Sequence, residues 1–261
     1  MSLIGSLRFP ARTAAFAGLT FAYYGGLELD TLVSPAAERD AVLYKWIQRY
    51  GVGLLKLYGV DVVARGPFIA SGARYPGVDA RGKGRLFLMN HRSGLDVPIT
   101  LAFIEATIVS RADLADWPVI GMAARRVGTL FVDRESKKSG AAVIQAMARG
   151  VESGRGVMVY PEGTTHSGDE VRPLKPGAFL VADKTGCEVI PVGLAYGEGG
   201  AAFGDEPFLE HMKRVSRTAR TKAAIVVGEP IDFAGCADLE AKRERGREVL
   251  QGLVDEARRL L

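Results

Sequence analysis

Cysteine is almost missing from this chain of 261 residues, which has only Cys187 and Cys236. Two thiols without metal-ligand spacing exclude a disulfide-stapled framework and a cysteine zinc site, so reduced thiols facing a cytosol are expected. Histidine is nearly as scarce, at His91, His166 and His211. These show no His-x3-His or Glu-flanked helical pair, so no bound metal is expected. Internal repeats and low-complexity tracts are also absent, and charged residues at 25% exclude global disorder. The N-terminal uncharged run, Thr13 to Leu27, falls short of the ~20 residues a straight membrane-spanning helix needs.

What is present suffices for one sizeable core. Hydrophobic residues make up 48% of the chain, and at this length a single α/β domain is the default. The net charge of +4 suits an anionic membrane surface or phosphorylated substrates. No helix-turn-helix, zinc-finger or RNA-binding signature accompanies it, which sets nucleic acid aside.

Arg8 and Arg12 precede the Thr13–Leu27 run, and Glu28 and Asp30 close it. A basic-then-apolar order is also signal-peptide grammar, but Tyr23, Tyr24 and Gly25-Gly26 stand where a small-residue cleavage site belongs. Ala41 to Val60 reads as a second helix, with Lys45, Gln48, Arg49 and Lys56 near one face and Trp46, Ile47, Leu54 and Tyr58 among the rest. That pattern fits a helix at the lipid headgroups or an ordinary core-packing helix. Together the two segments are expected to form a membrane-associated helical pair over residues 1–59, ahead of a second unit over 60–261. Ser71 to Arg85 reads as a solvated loop, and Asp238 to Leu261 as an amphipathic helix packed on the domain.

The chemistry concentrates in Leu86-Phe-Leu-Met-Asn-His-Arg-Ser-Gly-Leu-Asp96. A strand-like run ends at Asn90, and an imidazole, a small-residue turn and a carboxylate follow before a helix-like segment, Val97 to Glu105. A histidine shuttles protons near neutral pH, and a carboxylate on its far nitrogen fixes the tautomer. The bland alternative makes Asp96 an N-cap and His91 a polar strand end. Three further clusters end apolar strands: Gly128-Thr-Leu-Phe-Val-Asp-Arg134, Val157-Met-Val-Tyr-Pro-Glu-Gly-Thr-Thr-His166 and Val189-Ile-Pro-Val-Gly-Leu194. In an α/β sheet, strand ends on one edge share one crevice, where ligands bind.

In this order the clusters resemble the blocks of the glycerolipid acyltransferases of the lysophosphatidic acid acyltransferase type: His-x4-Asp, Gly-x-x-Phe-x-x-Arg, Pro-Glu-Gly-Thr and Ile-Pro-Val. The resemblance covers roughly Val60 to Gly228. It implies an α/β fold with a mixed, largely parallel central sheet flanked by helices, and an acyltransferase domain over 60–261. It also implies transfer of a fatty acyl chain from acyl-CoA or acyl-carrier protein to a lysolipid hydroxyl, by default 1-acylglycerol 3-phosphate, with no resident cofactor. His91 is then the general base and Asp96 its partner. Asn90, Arg134, Glu162, Gly163, Thr164, Thr165 and Lys175 are the expected substrate-binding residues, with the Gly163 amide as a plausible oxyanion contact. The expected location is the cytoplasmic face of the cell membrane, peripheral or shallowly inserted.

One departure bears on the acceptor. The family reads Glu-Gly-Thr-Arg where this chain has Glu162-Gly-Thr-Thr165, followed by His166. Loss of that arginine favours another lysolipid, such as a lyso-ornithine lipid, unless Arg172 or Lys175 compensates. The basic stretch Lys213 to Lys222 suits lipid phosphates, coenzyme A or plain solvent. Pro191 is expected to end or kink its strand at the pocket wall, because proline cannot donate to a ladder. His166 reads as a polar loop residue and His211 as structural or exposed. The rival readings are a lipid-binding scaffold, a hydrolase using water, and a covalent mechanism through Ser93. That serine lacks a Gly-x-Ser-x-Gly elbow.

Overall fold

Short aliphatic runs alternate with longer amphipathic ones, and the chain folds into strands separated by helices. The computed structural model describes residues 3–133, 137–197, 201–204 and 206–261. In chain order the elements are α1 (Leu3–Val33), α2 (Arg39–Tyr58), β1 (Val60–Arg65), β2 (Leu86–Met89), α3 (Asp96–Phe103), β3 (Thr107–Arg111), α4 (Ile120–Arg126), β4 (Leu130–Val132), α5 (Lys137–Glu152), β5 (Val157–Val159), α6 (Gly177–Thr185), β6 (Val189–Tyr196), α7 (Phe208–Arg217), β7 (Thr221–Val227) and α8 (Leu239–Arg259).

The strands form one seven-stranded sheet in the order β1-β7-β6-β2-β5-β3-β4. Every pairing is parallel except β6 with β7. This is the mixed, largely parallel sheet that the sequence led us to expect. Strands β2 and β6 are buried from end to end, which is why Leu-Phe-Leu-Met and Val-Ile-Pro-Val-Gly-Leu-Ala-Tyr carry no polar alternation. One sheet face packs with α2 and α3 through Leu54, Leu55, Phe87, Met89 and Ile99. The other packs with α5, α6 and α8 through Leu88, Met147, Phe179, Leu250 and Val254. Helix α8 starts where Asp238 caps it, its carboxylate accepting the Ala241 N–H at 2.8 Å.

Both N-terminal helices are present, and α1 runs past the acids that close the uncharged stretch. At Gly26 an added Cβ would lie 2.3 Å from the Trp46 ring of α2, so the small residue lets that ring seat. The charged side chains of α1 all reach toward the body. Arg12 donates to the carbonyls of Ser216 at 3.0 Å and Thr218 at 2.6 Å, and Arg8 to that of Arg217 at 3.3 Å. Glu28 pairs with Arg126, and Asp30 accepts from Lys45 and Trp46. Among the described residues, no helix is long and apolar enough to cross a membrane.

Two expectations need correction. Strand β6 does not end at Pro191: the β7 ladder begins only at Val192, so no bond on that side needs the missing N–H, and the strand continues to Tyr196. Nor is Ser71 to Arg85 merely solvated. Arg74, Tyr75 and Asp79 are buried, with the Arg74 guanidinium donating to the Ile104 carbonyl at 2.5 Å.

Helix α2 lies backbone-close against α3, the helix that begins at Asp96. A Cβ at Gly51 would fall 2.6 Å from the Ala102 nitrogen and 2.8 Å from the Leu101 carbonyl carbon. Gly51→Val should therefore cost about 1–3 kcal/mol through overpacking. Chemical denaturation reads this directly, and an unchanged midpoint would show that the close approach is not required.

Candidate active site

Parallel pairing puts the carboxyl ends of β2, β5 and the facing part of β6 on one edge. Leu88 is level with Val159 and with Pro191. The segments that follow, Asn90 to Asp96, Tyr160 to His166 and Leu194 to Tyr196, therefore meet although they are far apart in the chain. Asn90 joins two of them. Its side-chain nitrogen donates to the Leu194 carbonyl and its oxygen accepts the Leu194 N–H, both at 2.8 Å. The side chain thus extends the β2–β6 ladder where the backbone turns away.

His91 Nδ1 lies 2.6 Å from Asp96 Oδ2. The same oxygen accepts the backbone N–H groups of Arg92 at 2.7 Å and Ser93 at 2.9 Å, while Oδ1 accepts the Tyr196 hydroxyl at 2.7 Å. With Asp96 accepting from every side, Nδ1 is the donor, and in the neutral ring the lone pair is on Nε2. Asp96 is fully buried and the His91 side chain is 16% exposed, so the imidazole is the accessible member of the pair. The Tyr160 ring stacks on His91 at 4.1 Å and 18°, which fixes the plane of the imidazole. Its hydroxyl lies 3.1 Å from Thr100 Oγ1, and burial pushes the phenol well above its ordinary range.

Beneath the pair sits a second buried cluster. Glu162 Oε1 accepts the His91 backbone N–H at 3.0 Å and Arg92 Nη1 at 2.7 Å. Its other oxygen takes the Arg172 N–H at 3.0 Å and contacts His166 Nε2. Burial alone would raise the Glu162 carboxyl, but the bonds from Arg92, Arg172 and His166 outweigh it and hold the group below its ordinary value. Arg92 also donates to the carbonyls of Gly168 at 2.6 Å and Glu170 at 2.9 Å.

These partners revise several expected roles. Asn90 is wholly buried with both of its amide atoms bonded to Leu194, so it shapes the corner and is not presented to substrate. Glu162 is likewise committed to protein donors. The Gly163 N–H donates to the Tyr160 carbonyl at 3.0 Å, which removes it as an oxyanion donor. His166 is a buried partner of Glu162, and Ser93 is buried with its Oγ accepting the Leu95 N–H at 3.1 Å. Thr164 is exposed, Thr165 is half-buried, and the exposed Lys175 runs its aliphatic chain beside Gly163. Arg134 lies outside the described residues. Sequence reasoning missed Arg92, Tyr160 and Tyr196; their one local signal is adjacency to the motif residues. No group of three or more His, Cys, Asp or Glu among the described residues is placed to hold a metal.

Residues 74–195 match the family model described as Acyltransferase. This stretch is an acyltransferase-family domain. A lyso-ornithine lipid O-acyltransferase of Pseudomonas aeruginosa is 32% identical over 170 residues, covering 63% of this chain and 66% of that protein. A 1-acyl-sn-glycerol-3-phosphate acyltransferase of Neisseria gonorrhoeae is 30% identical over 113 residues, covering 43% of this chain and 44% of that one. The match thus spans two thirds or less of either relative. The crystal structure of the 1-acyl-sn-glycerophosphate (LPA) acyltransferase PlsC from Thermotoga maritima superposes with a TM-score of 0.72 at 21% identity, covering 98% of this chain and 95% of that one. At that identity the likeness concerns the fold.

The lowered Glu162 gives a signed pH prediction for this domain. A depressed carboxyl contributes stability that is complete above its unfolded value and lost as pH falls through the folded one. At pH 7, Glu162→Gln should cost about 3–5 kcal/mol, because Arg92 is left buried without its counter-charge. Below the ordinary value of 4.5 the gap to wild type should shrink. Denaturant unfolding at both pH values checks this, and a pH-independent gap would refute it.

Proposed function

We propose that the protein transfers a fatty acyl chain from acyl-CoA or acyl-carrier protein to a lysolipid hydroxyl, with His91 as general base and no resident cofactor. The observation that carries this reading is the His91 ring tied through Nδ1 to buried Asp96, which leaves Nε2 without a bond to any described residue. Nε2 takes the acceptor's hydroxyl proton as that oxygen attacks the thioester carbonyl. Collapse of the tetrahedral intermediate forms the ester, breaks the carbon–sulfur bond and releases the thiolate, to which the imidazolium returns the proton. Asp96 orients the ring and stabilises its charge meanwhile. Buried Ser93 argues against a covalent route.

A lyso-ornithine lipid is the acceptor we favour. Thr165 stands where the family has an arginine, and relatives from Pseudomonas aeruginosa, Rhizobium meliloti and Rhodobacter capsulatus carry that activity in their names. The second reading, 1-acylglycerol 3-phosphate, draws on exposed Arg172 and Lys175 beside Gly163 and on the Neisseria relative.

Attachment is proposed at the cytoplasmic face of the membrane, through the outer side of α1. Phe21 (55%), Leu29 (68%), Leu32 (76%) and Val33 (82%) are exposed there, while the charges of that helix are turned to the body. An apolar stripe of this kind is unusual on a surface facing only water.

Purified protein given labelled acyl-CoA or acyl-carrier protein with a lysolipid panel should form acylated lipid, and His91→Ala should lower the rate at least ~100-fold with the fold intact. Release of free fatty acid regardless of acceptor would indicate a hydrolase, and binding without product a scaffold. Separately, Leu29→Glu/Leu32→Glu should abolish flotation with phosphatidylcholine–phosphatidylglycerol vesicles and leave the melting temperature unchanged. Retained flotation would rule out this face.

A further inference from the structure

A third histidine lies directly behind the turn that carries the catalytic pair. His211, on α7, is wholly buried. The Gly94 N–H donates to its Nε2 at 3.1 Å, and Ser93 Oγ lies 3.2 Å from the same nitrogen. A backbone N–H only donates, so Nε2 is the acceptor and the ring proton sits on Nδ1. From there it donates to Glu206 Oε1 at 3.2 Å. Glu206 also accepts Arg214 Nε at 3.1 Å, and Arg214 holds that carboxyl down at about 2. Arg214 Nη2, 3.2 Å from Nδ1, then faces a donor, and Glu206 bridges the two.

The packing is close as well as polar. The His211 ring stacks on Phe203 at 3.7 Å and 11°. A Cβ at Gly94 would fall 2.6 Å from Met212 Sδ, so α7 presses against the turn with no room for a side chain. The turn therefore has its amides committed in two directions. Those of Arg92 and Ser93 point to Asp96, and that of Gly94 points to His211. Rotating the Gly94 peptide would also move the Ser93 carbonyl, which accepts the Asp96 N–H at 3.2 Å.

We propose that His211 is a positioning residue for the catalytic pair: by accepting the Gly94 amide, its Nε2 sets the turn that aims Asp96 at His91. The proposal rests on the acyl-transfer reading above. His211 touches no substrate, and its effect passes through the backbone of residues 93–96. The Glu206 carboxylate behind it, held ionised by Arg214, keeps the ring in the tautomer that accepts.

Two variants separate the acceptor from the ring. His211→Phe keeps a flat ring against Phe203 and removes the acceptor. His211→Gln loses the ring and keeps an acceptor near the position of Nε2. With a donor and lysolipid that wild type turns over, His211→Phe should lower kcat about ten- to a hundred-fold with KM little changed, and His211→Gln should recover most of the rate. Purely structural packing predicts the reverse order, and that result overturns the proposal. If His211→Phe does not fold, His211→Gln decides: near-wild-type kcat supports the proposal, and a deep loss at native melting temperature overturns it. The downfield proton resonance of His91 Nδ1–H reads the same geometry without turnover. It should persist in His211→Gln and broaden or shift in His211→Phe; no change in His211→Phe overturns the proposal. If wild type itself acylates nothing, the acyl-transfer reading fails, and this resonance still decides the positioning role.

Discussion

One buried ion pair holds the candidate site together. The Arg92 side chain is 2% exposed and that of Glu162 is fully buried, so both charges have given up water. Desolvation on that scale is repaid only by complete bonding. Arg92 meets the condition through Glu162 and the carbonyls of His91, Gly168 and Glu170. Glu162 meets it through Arg92, His166 and the amides of His91 and Arg172. The pair ties the turn after β2 to the loop after β5, and its value lies in geometry more than in net stability.

The His91–Asp96 pair rests on that platform and is braced from three sides. Tyr196 at the end of β6 bonds Asp96 and Tyr160 at the end of β5 stacks on His91. His211 on α7 meets the turn from behind. Nε2 of His91 is the ring nitrogen that no described residue bonds, as the proposed general base requires. A general base needs its orientation in place before substrate arrives, because reorganisation at the moment of reaction adds to the barrier. Bracing by separate strands and a helix provides that orientation.

The N-terminal helices connect this rigid centre to the surface. Helix α2 shares the core with the sheet through Leu54, Leu55 and Tyr58, and α1 packs outside it with its charges turned inward. The amphipathic pattern of α2 left core packing and membrane contact both open. Burial of its apolar side assigns that side to the core, and the outward apolar stripe belongs to α1. Periodicity reports that a face is apolar, but the partner for that face is a tertiary property.

The sequence by itself determined the α/β class, both N-terminal helices and the meeting of His91 with Asp96. These follow from local features: strand-like runs, helical periodicity, and a carboxylate five positions from an imidazole across a glycine-containing turn. Only the tertiary structure decided which polar residues stay available. Asn90, Glu162 and the Gly163 amide look like substrate contacts in the chain, yet each is committed to a protein partner, one of them 104 positions away. His166 and His211 carry no decisive local signal, and their burial against Glu162 and Gly94 depends on distant segments meeting at one sheet edge. The physical reason is that a buried polar group must be bonded, and the strand order that brings β6, β2 and β5 side by side chooses its partners.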